Sequence, residues 1–275
     1  MPSQREFISQ MGYLTFARNR KDTDYLRMAY MQAASIKTYM SRASVSVIVD
    51  QDTNKEVTDL VRNKFDRVVV MSQDLTEQHG MFANELQAFA LTPYKETIKL
   101  ESDLVLTRDI SHWIHGFRHH DILMPTGVVN FRNEVTVDDT YRNFFRVNKL
   151  PNVYTGIYYF RYSQAASEFF KLVHEVFVNW STHKNSWKNS PDAASTDVVF
   201  GIAALIFGTE RCTNPALSYP TMVHMKGALN GLPADADWTD HLYSQLDTDK
   251  NLIVGFNRQV YPFHYYIKDW QQNYD

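Results

Sequence analysis

Apolar and polar positions alternate between two periods along the first hundred residues. Gly12-Tyr13-Leu14-Thr15-Phe16-Ala17 is a compact, mostly apolar run that predicts a strand, and Arg18–Thr23 a polar turn after it. Leu26, Ala29, Ala33 and Ile36 then recur at helical spacing and predict a helix. Ser44–Val49 predicts a second strand ending at Asp50, Val57–Phe65 a short helix, and Arg67–Met71, with three consecutive valines, a third, buried strand. Phe82–Leu91 predicts a helix that stops before Pro93, and Thr97–Leu100 a fourth strand running into Glu101-Ser102-Asp103. Strand and helix therefore alternate over residues 1–105. That is the pattern of an α/β fold with a mostly parallel, doubly wound sheet.

The remaining chain is less regular. Ile110–Phe117 predicts a short helix, Ile122–Pro125 and Gly156–Arg161 strands, Ser163–Trp180 a long amphipathic helix with Ser163 as its cap, and Thr196–Phe207 a buried helix. Asn130–Leu150 reads as a long polar loop with some helix, His183–Ser195 as a polar loop, and the last stretch as turns and short aromatic strands. No repeat or linker interrupts the chain. The expectation is one domain over 1–275, with a first half, 1–105, and a second half, 106–275, that ends in a small packed C-terminal subregion.

Composition narrows the function classes. With 28 Lys and Arg against 31 Asp and Glu, the net charge of -3 gives no global attraction to nucleic acid or anionic membrane. The single cysteine, Cys212, excludes an intramolecular disulfide framework and a cysteine-rich zinc site. Met1–Gln10 has no apolar leader pattern, and no apolar run approaches the ~20 residues of a membrane helix, so a cytoplasmic protein is expected. Gly-x-Gly-x-x-Gly, the P-loop pattern, His-Glu-x-x-His and Gly-x-Ser-x-Gly are all missing. Dinucleotide binding, P-loop phosphate binding, zincin chemistry and the hydrolase nucleophile elbow lose their usual support.

Acidic residues two apart occur as Asp22/Asp24, Asp50/Asp52, Glu101/Asp103, Asp235/Asp237 and Asp247/Asp249. Chance alone supplies roughly three or four such pairs, so context must separate them. Asp22/Asp24 precedes a helix and suits capping, while Asp235/Asp237 and Asp247/Asp249 lie in polar turns. Glu101/Asp103 instead follows a buried strand and precedes Leu104-Val105-Leu106. Two carboxylates there need a cation, and alternate residues of an extended segment point the same way. Mn²⁺ or Mg²⁺ suits such oxygen ligands. Neutralisation by Lys99 or Arg108 is the structural alternative.

The arrangement Ile98-Lys99-Leu100-Glu101-Ser102-Asp103-Leu104-Val105-Leu106, followed by Asp109-Ile110, resembles the GT-A nucleotide-sugar glycosyltransferases, in particular their glycogenin-like and bacterial galactosyltransferase-like members. Glu101 replaces the first Asp of that family's Asp-x-Asp, and Asp103 keeps the second. Gly12–Ala17 with Asp24-Tyr25 and Ser35-Ile36 resembles the opening strand and uridine-facing helix. Tyr154-Thr155-Gly156-Ile157 resembles the segment lining the sugar and acceptor site, and Ser195-Thr196-Asp197-Val198 the segment touching the donor sugar. Phe263-His264-Tyr265-Tyr266-Ile267-Lys268-Asp269-Trp270 resembles the C-terminal metal and diphosphate element, and Val223-His224-Met225-Lys226-Gly227 offers a second His and Lys.

The resemblance implies a metal-dependent hexosyltransferase that uses a UDP-sugar and a cytoplasmic hydroxyl acceptor. That acceptor is either a glycan or a hydroxymethylpyrimidine in phage DNA. It implies Asp103, Glu101 and His264 or His224 as ligands of Mn²⁺ or Mg²⁺, and Tyr13, Arg18, Tyr25, Ser102, Lys226 and Lys268 on the donor. Tyr154, Thr155, Gly156 and Asp192 would face sugar or acceptor, and Asp197 would be catalytic. The DNA acceptor draws on Arg118-His119-His120, Arg132, Arg142, Arg146 and Lys149, interleaved with Tyr141, Phe144 and Phe145 but diluted by Asp121, Glu134, Asp138 and Asp139. Two other classes compete. One is a non-catalytic nucleotide or sugar binder of the same fold. The other is a metal-dependent phosphoesterase built on Glu101, Asp103, His224 and His264, a class that usually needs a denser ligand cluster.

Overall fold

The computed structural model describes residues 6–76, 80, 82–137, 140, 142–214, 219–268 and 270. Its strands in chain order are β1 (Ser9–Ala17), β2 (Val45–Val49), β3 (Arg67–Val70), β4 (Tyr94–Leu100), β5 (Leu104–Val105), β6 (Ile122–Pro125), β7 (Val128–Val129) and β8 (Val135–Thr136). They continue with β9 (Ile157–Arg161), β10 (Thr213–Asn214), β11 (Val223–His224), β12 (Ser244–Leu246), β13 (Leu252–Val254), β14 (Asn257–Arg258) and β15 (Phe263–His264). A central seven-stranded sheet has the order β10-β6-β9-β4-β1-β2-β3. Only β9 runs against its neighbours, so the mostly parallel sheet expected from the alternating pattern is present.

Burial on both faces explains the sequence. All five positions of β2 are buried, which is why it reads as a nearly unbroken apolar run. Along β9, Tyr158 and Phe160 pack into one core while Ile157 and Tyr159 pack into the other. The first core lies under the Gln164–Val178 and Thr196–Phe207 helices, and the second under the Tyr25–Tyr39 helix. Asp24 caps this last helix by accepting from the Arg27 N–H at 2.8 Å. Ser163 and Ser195 cap the other two.

Several expectations shift. β3 is an edge strand with part-exposed valines rather than a buried one. The helix expected over Val57–Phe65 is only Asp59–Arg62, and a turn of helix over Gln51–Lys55, capped by Asp50, precedes it. Phe82–Leu91 is a 3₁₀ turn over Ala83–Gln87 continued by Ala88–Leu91. Leu205 and Ile206 are exposed, so the Thr196–Phe207 helix is not wholly buried. No helix among the described residues is long and apolar enough to cross a membrane.

Two features position the site. β1 leads outward through β2 to β3, whereas β4 lies on the other side of β1, so the chain changes direction between β1 and β4. In open α/β sheets that reversal leaves a crevice beyond the carboxyl ends of the strands. A second sheet, β5-β15-β11-β7-β8, brings the C-terminal segment to the same end.

Candidate active site

β4 ends at Leu100 and delivers Glu101, Ser102 and Asp103 into the crevice. The turn is clamped from the first helix. The Gln32 side-chain amide donates to the Glu101 carbonyl and, at 2.8 Å, to the Leu104 carbonyl, while the Leu106 N–H donates to the Ser35 hydroxyl at 3.0 Å. Ser35, read from sequence as part of a uridine-facing helix, therefore holds the acidic segment.

Strand register supplies the rest of the cluster. His264 pairs with Leu104 across β15 and β5, and with His224 across β15 and β11. The Tyr265 N–H donates to the Asp103 carbonyl at 3.1 Å and locks this register. As a result His264 Nε2 lies 3.2 Å from Glu101 Oε2 and 3.1 Å from Asp103 Oδ2. The two histidine rings stack in parallel, their centres 4.7 Å apart and their planes at 2° to each other. The Lys268 ammonium donates to Asp103 Oδ2 and lies over the Tyr25 ring at 5.7 Å.

The charges follow from this packing. Burial raises Glu101 to about 7, against the opposing pull of His264. Burial also works against Asp103, but the His264 and Lys268 charges overcome it and hold that carboxyl well below the usual range. Burial disfavours the His264 cation, yet Asp103 outweighs it and raises that imidazole. His224 is pushed well down by burial and by the neighbouring His264, so its ring stays neutral.

Glu101, Asp103 and His264 each offer a ligand atom within 4.8 Å of the others, and they are the one such group among the described residues. Two carboxylate oxygens and one imidazole nitrogen, with a lysine already drawn to the same oxygen, form a donor set that fits a divalent cation. No second group of this kind stands beside it among the described residues, which removes the ligand density a two-metal phosphoesterase needs. His224 backs His264 through its ring instead of joining the cluster.

The other half of the cleft is built around Asp197, in the first turn of the Thr196–Phe207 helix. Its Oδ1 accepts from the Thr155 N–H at 2.8 Å and the Thr155 hydroxyl at 2.7 Å, and its Oδ2 accepts from Arg142 Nη1 at 2.6 Å. The Arg142 guanidinium is buried between the rings of Phe145 and Tyr154, 3.9 and 4.1 Å from their centres, and also donates to the Asn152 side chain and the Val153 carbonyl. A carboxylate with both oxygens already held is suited to orienting a ligand more than to taking its proton. Gly156, next to Thr155, approaches Met222 so closely that a Cβ there would stand 2.7 Å from Met222 Cε.

Arg18, Tyr25, Ser102, Tyr154, Thr155, Gly156, Asp197, His224, Lys226, His264 and Lys268 all line the same cleft of about 620 Å³. Arg18 is held by Asp74 at 2.7 Å and Asp50 at 3.4 Å. Two of the expected residues are elsewhere. Tyr13 lies in the core beneath the first helix, its hydroxyl against Met40 Sδ. It stands four residues before the end of β1, about 13 Å below the crevice at strand rise. Asp192 is fully exposed and faces Lys184 at 3.5 Å, while its neighbours Pro191 and Ala193 line the cleft.

Neither Lys99 nor Arg108 forms a direct ion pair with the acids, although the Lys99 charge still acts on Glu101 from a distance. Lys99 is wholly buried and binds Glu85, and Arg108 is exposed. Of the basic cluster, Arg118 pairs with Glu96, Arg132 lies on the Phe131 ring, and Arg142 is committed to Asp197. Tyr141, Asp138, Asp139 and Asp269 lie outside the described residues. Sequence reading missed Gln32, the Lys99–Glu85 pair, the partnership of Arg142 with Asp197, and Tyr266. The Tyr266 ring stands edge-on to both histidines at 6.0 and 6.3 Å, from a backbone with φ of +65°. Cys212 is buried, its thiol pushed up to about 12 by burial, and takes no part in the cleft.

No protein-family profile matches the chain, and no curated protein matches its sequence. Among solved structures, it is similar to mouse xyloside xylosyltransferase 1 (10% identity over 75% of this chain and 84% of that one, TM-score 0.48). It is also similar to the galactosyltransferase LgtC in complex with donor and acceptor sugar analogs (10% identity over 74% and 73%, TM-score 0.49). A third is the glycosyltransferase GlyE of Streptococcus pneumoniae TIGR4 (11% identity over 75% of this chain and 45% of that one, TM-score 0.46). Likenesses this distant decide nothing about chemistry, which rests on the side chains of the cleft.

Proposed function

We propose that the protein is a metal-dependent glycosyltransferase that moves a hexose from a nucleotide sugar, UDP-linked in the first instance, to a hydroxyl acceptor. The observation that carries this reading is the convergence of Glu101, Asp103 and His264 beside Lys268 at the strand-order reversal of a mostly parallel sheet. Glu101 Oε2, Asp103 Oδ2 and His264 Nε2 would hold Mn²⁺ or Mg²⁺. An ion held there supplies Lewis-acid stabilisation to a diphosphate leaving group. Lys268 contributes a mobile positive charge beside it, able to leave Asp103 for a phosphate oxygen. Lys226, pushed down by burial and by Arg142, stands between this end and Asp197. Asp197, fixed by Thr155 and Arg142, orients the sugar hydroxyls, and Tyr25 and Arg18 border the nucleotide.

A non-catalytic binder would share the first half of this account, so the test has two stages. Calorimetric titration with UDP, with and without Mn²⁺, is expected to give metal-dependent binding that Asp103→Ala abolishes. Slow Mn²⁺-dependent hydrolysis of UDP-glucose or UDP-galactose is then expected from the wild type. Failure to bind UDP and GDP in either condition would sink the transferase reading, and binding without any turnover would leave only the binder.

A further inference from the structure

This inference rests on the transfer reading above and concerns the acceptor. Beside Asp197 the cleft is bordered by the Asn143–Asn148 helix and the loop after Ser186. Phe144 lines it there, half-buried, and its ring is braced edge-on by three others. Phe145 stands at 5.9 Å and 88°, Trp180 at 6.4 Å and 72°, and Trp187 at 6.4 Å and 62°. The support is tied in place. The Asn148 side chain donates to the Lys188 carbonyl at 2.8 Å and accepts from its N–H at 2.9 Å, and the Ser190 hydroxyl donates to the Trp187 carbonyl at 3.0 Å. Asn189, in the left-handed region at φ +52°, also reaches the cleft, as do Asn84 and Glu85.

A braced aromatic face near amide and carboxylate groups fits a pyranose. The sugar's C–H face packs on the ring while its hydroxyls reach Asn189 and the Glu85 carboxylate, Asn84 being spent on Asp74 and the Leu75 N–H. A polynucleotide needs a row of exposed cations along its backbone. Here Arg118 is paired with Glu96 and Arg142 is buried against Asp197; Arg146, Lys149 and Lys188 are exposed on the bordering helix and loop but do not line the cleft, where Glu85 and Asp197 put carboxylates on the wall. We infer that the Phe144 face is an acceptor subsite for a pyranose ring, which makes the acceptor a saccharide.

The test is saturation-transfer NMR on the full chain with UDP and Mn²⁺ present. The probes are the methyl pyranosides of glucose, galactose, mannose and N-acetylglucosamine, and a duplex oligonucleotide carrying 5-hydroxymethylcytosine. At least one pyranoside is expected to bind. Phe144→Ala is expected to weaken it about tenfold, the loss that follows from one stacked aromatic face, and Phe144→Tyr to restore it. UDP affinity of each variant is measured in parallel, so damage to the donor end is recognised as such. Binding of UDP with no pyranoside bound overturns the inference and leaves the donor reading standing. So does unchanged affinity in Phe144→Ala, or salt-sensitive capture of the oligonucleotide instead. A wild type that binds no UDP overturns the donor reading and this inference with it.

Discussion

Removing Arg142 is expected to damage both stability and function, and its size can be worked from the contacts. The guanidinium is nearly inaccessible and donates to Asp197, Asn152 and the Val153 carbonyl, between two aromatic rings. Breaking a buried ion pair by deleting one partner costs about 3–5 kcal/mol, because the other charge is left in a poor solvent. Asp197 keeps its two Thr155 donors and some exposure, which places Arg142→Met near the lower end, about 3 kcal/mol. Asp197→Asn strands the buried cation in turn. Because each single variant orphans a charge, the double variant Arg142→Met/Asp197→Asn should be less damaging than the sum, by about 2 kcal/mol. Urea unfolding of the four proteins, followed by far-UV circular dichroism, gives the cycle directly. Strict additivity, or a cost for Arg142→Met under about 1 kcal/mol, would refute the claim that the pair is a coupled unit that fixes Asp197.

Three further outcomes follow from the same geometry. Glu101 and His264 hold their protons more tightly folded than unfolded, so their contributions are full at low pH and fade as pH rises, from 4.5 to about 7 for Glu101 and on through the raised His264 value. Asp103, held low, contributes steadily over that range. The metal-free protein should therefore melt lower at about pH 8 than at about pH 5, Glu101→Gln should flatten the slope, and Mn²⁺ should offset it; an unchanged slope in Glu101→Gln contradicts the assignment. Tyr266→Gly should be more stable than Tyr266→Ala by about 1 kcal/mol in thermal melts, since only glycine relieves the φ of +65°, while both weaken UDP binding; equal melting temperatures would argue against the strain. Gly156→Ala should cost about 1 kcal/mol on chemical unfolding, the low end of overpacking, because the new methyl meets only the flexible end of Met222 at 2.7 Å and stands at ordinary contact, 3.6 Å, from Glu101 Oε2; a cost above about 3 kcal/mol would contradict this and mean that Met222 cannot move aside.

The parts of this account legible in sequence are those fixed by local chemistry. The run Ser44–Val49, the caps Asp24 and Ser163, and the acids that follow β4 are each a short pattern with one dominant cause. Side-chain partners far apart in the chain were not legible. Arg142 looked like part of a basic surface because the carboxylate that consumes its charge lies 55 residues away. His224 and His264 stood as rivals for one role because their shared strand register is set only when β11 and β15 pair. Asp192 sits close to Asp197 in sequence, but a helix cap turns one inward and leaves the other in solvent. Tyr13 failed for a simpler reason, since only the last residues of a parallel strand reach the crevice.

The central claim is that Glu101, Asp103 and His264 form one divalent-metal site. Electron paramagnetic resonance titration of Mn²⁺ into the purified protein, with wild type beside His264→Ala and Asp103→Asn, tests it most directly. The account predicts one tight Mn²⁺ per chain in the wild type and at least a tenfold loss in each variant, about 1.4 kcal/mol or more. Wild-type affinity retained in both variants, or no bound Mn²⁺ in any of the proteins, would contradict it.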